Sequence, residues 1–155
     1  MKVLVDLNVL LDVIQRREPH YAASADLLSR MAEGELQGSI PGHALTTIYY
    51  IVSRFAGRAS ADEAVDWILG DLEVVPEGRG TFLRARSLQI EDLEDAVVAA
   101  AAEQSRSDRI ATRNVDDFEH SPVSALTPLE LLAELEPPPE PEGEEPSESE
   151  GNGRG

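Results

Sequence analysis

The chain has 155 residues, 41% of them apolar and 28% charged, with no cysteine and a formal charge of −17. That length and apolar content suit one domain with a proper core, and the missing cysteines exclude disulfides, thiolate catalysis and sulfur-ligated metal. The charge is uneven: residues 136–155 hold seven Glu and one Arg, and the first 135 hold 23 acids against 12 bases, a balance that argues against coating nucleic acid in general.

In chain order, Val3, Leu4 and Val5 form a short β-branched apolar run that reads as a strand buried on both faces, as in a parallel sheet. It stops at Asp6, and Asn8 is placed to cap a helix burying Val9, Leu10, Val13 and Ile14. Asp6 and Asp12 interrupt the only apolar start, so no signal peptide is expected, and the longest apolar run, Ala96 to Ala102, is too short to span a membrane. The expected location is the cytoplasm. After the break at Arg16-Arg17-Glu18-Pro19, residues 21–33 read as a helix with Ala25, Leu28 and Ala32 on one face and Gly34 as its stop. Residues 36–40 read as a strand ended by Pro41 and Gly42, and 44–55 as an apolar helix.

Ser60-Ala-Asp-Glu63 has the form of a capping box opening a helix over 61–69. Residues 73–75 read as a strand closed by Pro76. Residues 81–88 read as a helix with Phe82, Leu83 and Ala85 turned inward. Asp92 is a good cap for an Ala-rich helix, 93–104, that suits close packing on a sheet. Strands over 110–112 and 124–126 follow, and Thr127-Pro-Leu-Glu130 opens a last helix to Leu135. Strands alternating with helices indicate an α/β fold around a mostly parallel sheet. From Glu136 onward the Pro/Glu-rich segment has no aromatic or branched apolar residue, so residues 136–155 are expected to form a disordered acidic tail after a domain over 1–135.

Three acidic clusters lie where strands end or helices begin: Asp6; Glu91, Asp92, Glu94 and Asp95; and Asp116 with Asp117 after Asn114. In a parallel sheet such strand ends share one edge, where open α/β folds bind their ligands. Converging carboxylates repel and raise one another's pKa unless a cation joins them. Oxygen ligands without sulfur point to Mg²⁺ or Mn²⁺, which can act on a phosphodiester without a histidine base. His20, His43 and His120 are scattered, with no pair at zinc spacing, and none reads as well placed. Asp92 reads chiefly as a helix cap, Asp95 shares a face with Ala99 and Ala102 and is the better candidate ligand than Glu94, and Asn114, Asp116 and Asp117 equally suit a structural turn. Arg16, Arg17, Arg54, Arg58, Arg79, Arg84, Arg86 and Arg113 each read first as solvated surface.

Val5-Asp-Leu-Asn-Val-Leu-Leu-Asp12, Asp92-Leu-Glu-Asp-Ala-Val97 and Thr112-Arg-Asn-Val-Asp-Asp-Phe118 resemble the three acidic motifs of PIN domains, closest to small bacterial VapC-like toxins and their stand-alone relatives. The resemblance covers about residues 1–135. It implies a three-layer α/β/α sandwich with a five-stranded parallel sheet and a Mg²⁺- or Mn²⁺-dependent endoribonuclease acting on RNA. It also implies a homodimer and, often, an inhibiting antitoxin protein. Carried over, Asp6 and Asp95 match the principal metal-binding aspartates, Asn8 the asparagine that supports the first, and Asn114 and Asp117 the last motif, with Asp116 beside it. The departure is a glutamate that typical active members carry early in the third helix. No acid occurs between Ile40 and Ala61, and Thr46 or Thr47 sits near the expected position. A hydroxyl supplies no negative charge there, which leaves Glu94 to compensate or a weakened, binding-only module as the alternative. A phospho-receiver or aspartyl phosphatase fits poorly, because position 8 is Asn and Lys2 is the only lysine.

Overall fold

The computed structural model describes residues 1–137, 139–141 and 143; most of the expected acidic tail lies outside the described residues. Five parallel strands form one sheet in the order β3-β2-β1-β4-β5: β1 (Lys2–Val5), β2 (Gln37–Pro41), β3 (Glu73–Val75), β4 (Arg109–Ala111) and β5 (Ala125–Leu126). The first three strands wind outward in one direction, and β4 then returns to the other side of β1. That reversal makes the carboxyl ends of β1 and β4 the switch point of the sheet, where a crevice opens.

Alternation along β1 explains the layers. Val3 and Val5 face one core, together with Val9 and Leu10 of α1 (Leu7–Ile14), Leu27, Leu28 and Met31 of α2 (Tyr21–Ala32), and Ile48 and Val52 of α3 (Gly42–Ala56). Ile68 of α4 (Arg58–Asp71) and Leu131 of α7 (Pro128–Leu135) complete it. Leu4 points the other way, to Ile110 and to Val98, Ala99, Ala101 and Ala102 of α6 (Leu93–Gln104). Behind that layer, Ala96, Val97 and Ala100 meet Ala85 of α5 (Arg79–Ser87). Every residue from Ala96 to Ala102 is buried, because small side chains let α6 lie between sheet and helix. The result is the expected α/β/α sandwich. Among the described residues no helix is long and apolar enough to cross a membrane.

Several local expectations are corrected. Asp6, not Asn8, caps α1: its carboxylate accepts from the Leu7 N–H at 2.7 Å, so the helix begins one residue after the strand. In α2 the buried face is Ser24, Leu27, Leu28 and Met31, and Ala32 is exposed, because the two leucines and the methionine carry more apolar area than the alanines. Gly57, at φ +90°, joins α3 directly to α4, which puts Ser60 inside the helix instead of in a capping box. In α5 the Thr81 hydroxyl accepts from the Gly78 N–H at 3.2 Å and starts the helix early. That phase buries Thr81 and Ala85 and leaves Phe82 and Leu83 44% and 56% exposed. The Asp92 and Thr127 caps form as expected, accepting from the Asp95 and Glu130 N–H groups at 3.0 and 3.2 Å.

Candidate metal and active site

The register of the central strands brings the first and last motifs together. The Asp6 N–H continues the ladder onto the Ala111 carbonyl at 2.9 Å, so Asp6 and Thr112 leave the sheet side by side. Thr112 is fully buried and its hydroxyl donates to Asp6 Oδ2 at 2.9 Å. Thr112 Oγ1 in turn accepts from the Asn114 N–H at 3.1 Å, which ties the following turn to the strand end. Asn8 adds longer bonds of 3.4 Å from its amide to Asp6 Oδ2 and to Thr112 Oγ1, while its Oδ1 accepts from the Arg113 N–H at 3.3 Å. Asp6 is only 7% exposed. Burial pushes its carboxyl above the usual range, the Thr112 hydroxyl and Leu7 N–H work against that, Glu94 adds to it and His43 opposes it.

The second motif arrives from the amino end of α6, which points at the same sheet edge. Asp95 sits in its first turn, half-buried. Burial raises its carboxyl to about 6, reinforced by the negative charges of Asp92, Asp6, Asp117 and Glu94. Those four acids come from three separate stretches of chain, so the structure brings Asp6, Glu94, Asp95 and Asp117 into one electrostatic neighbourhood. Asp95, Asp116 and Asp117, with Glu91, Asp92, Glu119 and His120, line an open hollow of about 650 Å³. Asp116 and Asp117 belong to a 3₁₀ turn over Val115–Phe118, anchored by buried Phe118 and by a 3.1 Å bond from the Asp117 N–H to the Asn114 carbonyl. Asn114, Asp116 and Asp117 are themselves exposed.

Thr47 is not drawn into this group by any hydrogen bond. Its hydroxyl, like that of Thr46, donates back to the His43 carbonyl within α3, at 3.2 and 3.0 Å. The α3 residue that does face the acids is His43, whose Nε2 lies 3.7 Å from Glu94 Oε1. Its Nδ1 lies 2.6 Å from Glu77 Oε1. Position 43 lies in the first turn of α3 at the carboxyl edge, and the Glu77 that holds it follows β3, out of reach of any local motif. Thr112 and the pair Asp12–Arg113 were likewise not singled out. Asp12 is fully buried, with Arg113 Nε 2.8 Å from its Oδ2, an ionic contact that is not a well-directed hydrogen bond. Burial raises the Asp12 carboxyl and Arg113 pulls it back. The pair pins the 112–114 segment onto α1.

The donor set suits a divalent ion in charge and chemistry: several carboxylates that repel one another around a buried strand end, with nearby cations few. Among the described residues, no group of three or more His, Asp or Glu side chains is already gathered to hold a metal. The fit is one of donor chemistry and charge.

Residues 2–116 match the PIN domain family. The chain is 24% identical over 101 residues to a ribonuclease VapC1 of Aquifex aeolicus, covering 62% of this chain and 69% of the relative. Among solved structures, VapBC2 from Rickettsia felis, bound to a DNA fragment from its promoter, superposes with a TM-score of 0.66 at 18% identity, over 82% of this chain and 98% of the other. VapC20 of Mycobacterium tuberculosis, a toxin that cleaves the sarcin–ricin loop, gives 0.61 at 12% identity, over 74% and 92%.

Proposed function

The chain belongs to the PIN-domain family, and on that premise we propose that it is a Mg²⁺- or Mn²⁺-dependent endoribonuclease of the VapC type. The observation that supports the reading is that α6 and the 3₁₀ turn bring Asp95, Asp116 and Asp117 to one hollow, with the charges of Asp6 and Glu94 felt at Asp95. Asp6 and Asp95 hold the ion, and Glu94 stands in for the acid missing from α3. The bound ion supplies positive charge against the negative charge that develops on the phosphoryl group.

The rest is done by the chain. The Thr112 hydroxyl, the Leu7 N–H and Asn8 fix Asp6 in one orientation, so little reorganisation is left for the reaction step. Asp117, lining the same hollow as Asp95, assists by positioning a water. Asn114 and Asp116 shape the turn that carries Asp117. The domain's acidity makes RNA binding depend on the ion and a few arginines, with specificity set by RNA shape. An antitoxin, a second copy of the chain and a cytoplasmic setting complete the reading. The neighbouring VapBC assembly from Rickettsia felis supports the first of these.

The test is cleavage of a panel of end-labelled structured RNAs by the purified chain with Mn²⁺, Mg²⁺ or chelator. Cleavage with metal and none with chelator is expected; no cleavage with any metal, or equal cleavage in chelator, overturns the proposal. A second reading, a binding module without catalysis, is favoured by the ungathered donors and the missing α3 acid. It requires that Mn²⁺ at millimolar concentration give no heat of binding in calorimetry.

A further inference from the structure

One imidazole stands at the carboxyl edge beside the acids, and it is held in a particular way. His43 is the second residue of α3, directly after β2. Glu77 Oε1 accepts the His43 backbone N–H at 3.2 Å and lies 2.6 Å from its ring Nδ1. The Glu77 side chain is only 8% exposed. This carboxylate oxygen therefore grips both the backbone and the ring of one residue. Gly42 makes room for the grip: a Cβ there would stand 3.1 Å from the Val75 carbonyl and 4.0 Å from Glu77 Cδ. A side chain at position 42 would press on the Val75 carbonyl, so glycine eases the close approach of α3 to the end of β3.

With Nδ1–H given to a carboxylate, the neutral ring presents its lone pair at Nε2. Nε2 faces Glu94 Oε1 across 3.7 Å, too far for a hydrogen bond. An imidazole with Nδ1 held by a buried carboxylate and Nε2 facing Glu94, in the first turn of α6 beside Asp95, has the arrangement of metal-ligating histidines. We propose that His43 Nε2 is a ligand of the divalent ion in this chain, a neutral donor beside the compensating charge of Glu94, with Glu77 as the residue that orients it. The inference rests on the reading that the Asp6–Asp95 site holds an ion, and it adds a consequence. A nitrogen donor moves the preference from Mg²⁺ toward Mn²⁺ and Co²⁺.

The experiment is pulsed EPR of the full chain loaded with Mn²⁺, with affinity measured in parallel by calorimetry. The wild type is expected to show ¹⁴N coupling from a directly bound imidazole. His43→Gln, checked for folding by circular dichroism, loses that coupling and binds Mn²⁺ about 10–100-fold more weakly. Glu77→Gln keeps the coupling and loses affinity to a similar degree, which a purely structural tie between the two loops would not produce. His120→Ala, which removes the imidazole that lines the hollow beside Asp116 and Asp117, keeps the coupling. Should Mn²⁺ bind in an Asp6-dependent way without ¹⁴N coupling, or should the coupling vanish in His120→Ala and persist in His43→Gln, the inference is overturned and the metal site stands. Should the chain bind no Mn²⁺ at millimolar concentration, both fall together.

Discussion

Thr112→Val removes one oxygen from a fully buried side chain and leaves its shape nearly unchanged. That oxygen donates to Asp6 at 2.9 Å and accepts from the Asn114 N–H at 3.1 Å and the Asn8 amide at 3.4 Å. A hydrogen bond to a charged group contributes about 1.5–3 kcal/mol, and exposed Asn114 can recover its lost partner from water. We therefore expect a loss of about 2 kcal/mol in urea unfolding at pH 7. The same hydroxyl holds the Asp6 carboxyl down against burial, so its removal raises that group further. An ion binds the deprotonated carboxylate, so Mn²⁺ affinity should fall about 10–100-fold, and by more at pH 6 than at pH 8. Thr112→Ser should restore both properties. A valine variant that unfolds and binds Mn²⁺ like the wild type at both pH values refutes the orienting role.

Asp95 gives a pH signature. Its folded pKa of about 6 lies above the ordinary 3.8, so the folded state holds the proton more tightly than the unfolded one. The stability that Asp95 contributes to the metal-free protein should therefore be fully present below pH 4 and lost as pH rises through 6, by about 1 kcal/mol after solvent screening. Asp95→Asn should flatten that slope in urea titrations, and an equally steep slope would contradict it. Arg113→Ala leaves the buried Asp12 carboxylate without its partner and should cost about 3 kcal/mol at pH 7, partly regained on acidification as Asp12 takes a proton; a loss independent of pH argues against the ion pair. On α5, Phe82→Ser should change the unfolding midpoint little, within about 0.5 kcal/mol, whereas Ala85→Leu should cost about 1–3 kcal/mol by overpacking against α6. The reverse order would mean that the helix phase is wrong.

The parts of the fold that were legible in the sequence are those written in local periodicity. Val3-Leu4-Val5 alternates onto two cores, the alanines of α6 announce a helix squeezed between layers, and Asp92 and Thr127 cap where their spacing says. Where reading failed, a stronger contact overrode a plausible local pattern. Asp6 competes with Asn8 for the start of α1 because the strand ends right at it. Thr81 looks like an ordinary helix residue, and its bond to Gly78 rotates Phe82 and Leu83 outward. Ser60 has the chemistry of a cap, but Gly57 lets α4 begin earlier.

The acids of the site were legible because each follows a strand or opens a helix. The residues that orient them were not. Thr112 reads as the last polar step of a strand, and its contact to Asp6 spans 106 positions. Glu77 lies in a Pro-Glu-Gly turn 34 residues after His43, and nothing local joins the two. The missing α3 glutamate drew attention to Thr47, but the side chain that faces the acids comes from one turn earlier.

The central claim is that Asp6 anchors a metal-dependent nuclease site at the β1–β4 switch point. Its most direct test is single-turnover RNA cleavage in saturating Mn²⁺ by the wild type and by Asp6→Asn, with matched circular-dichroism spectra. The account predicts cleavage by the wild type and none by the folded variant. Equal rates for the two proteins would contradict it.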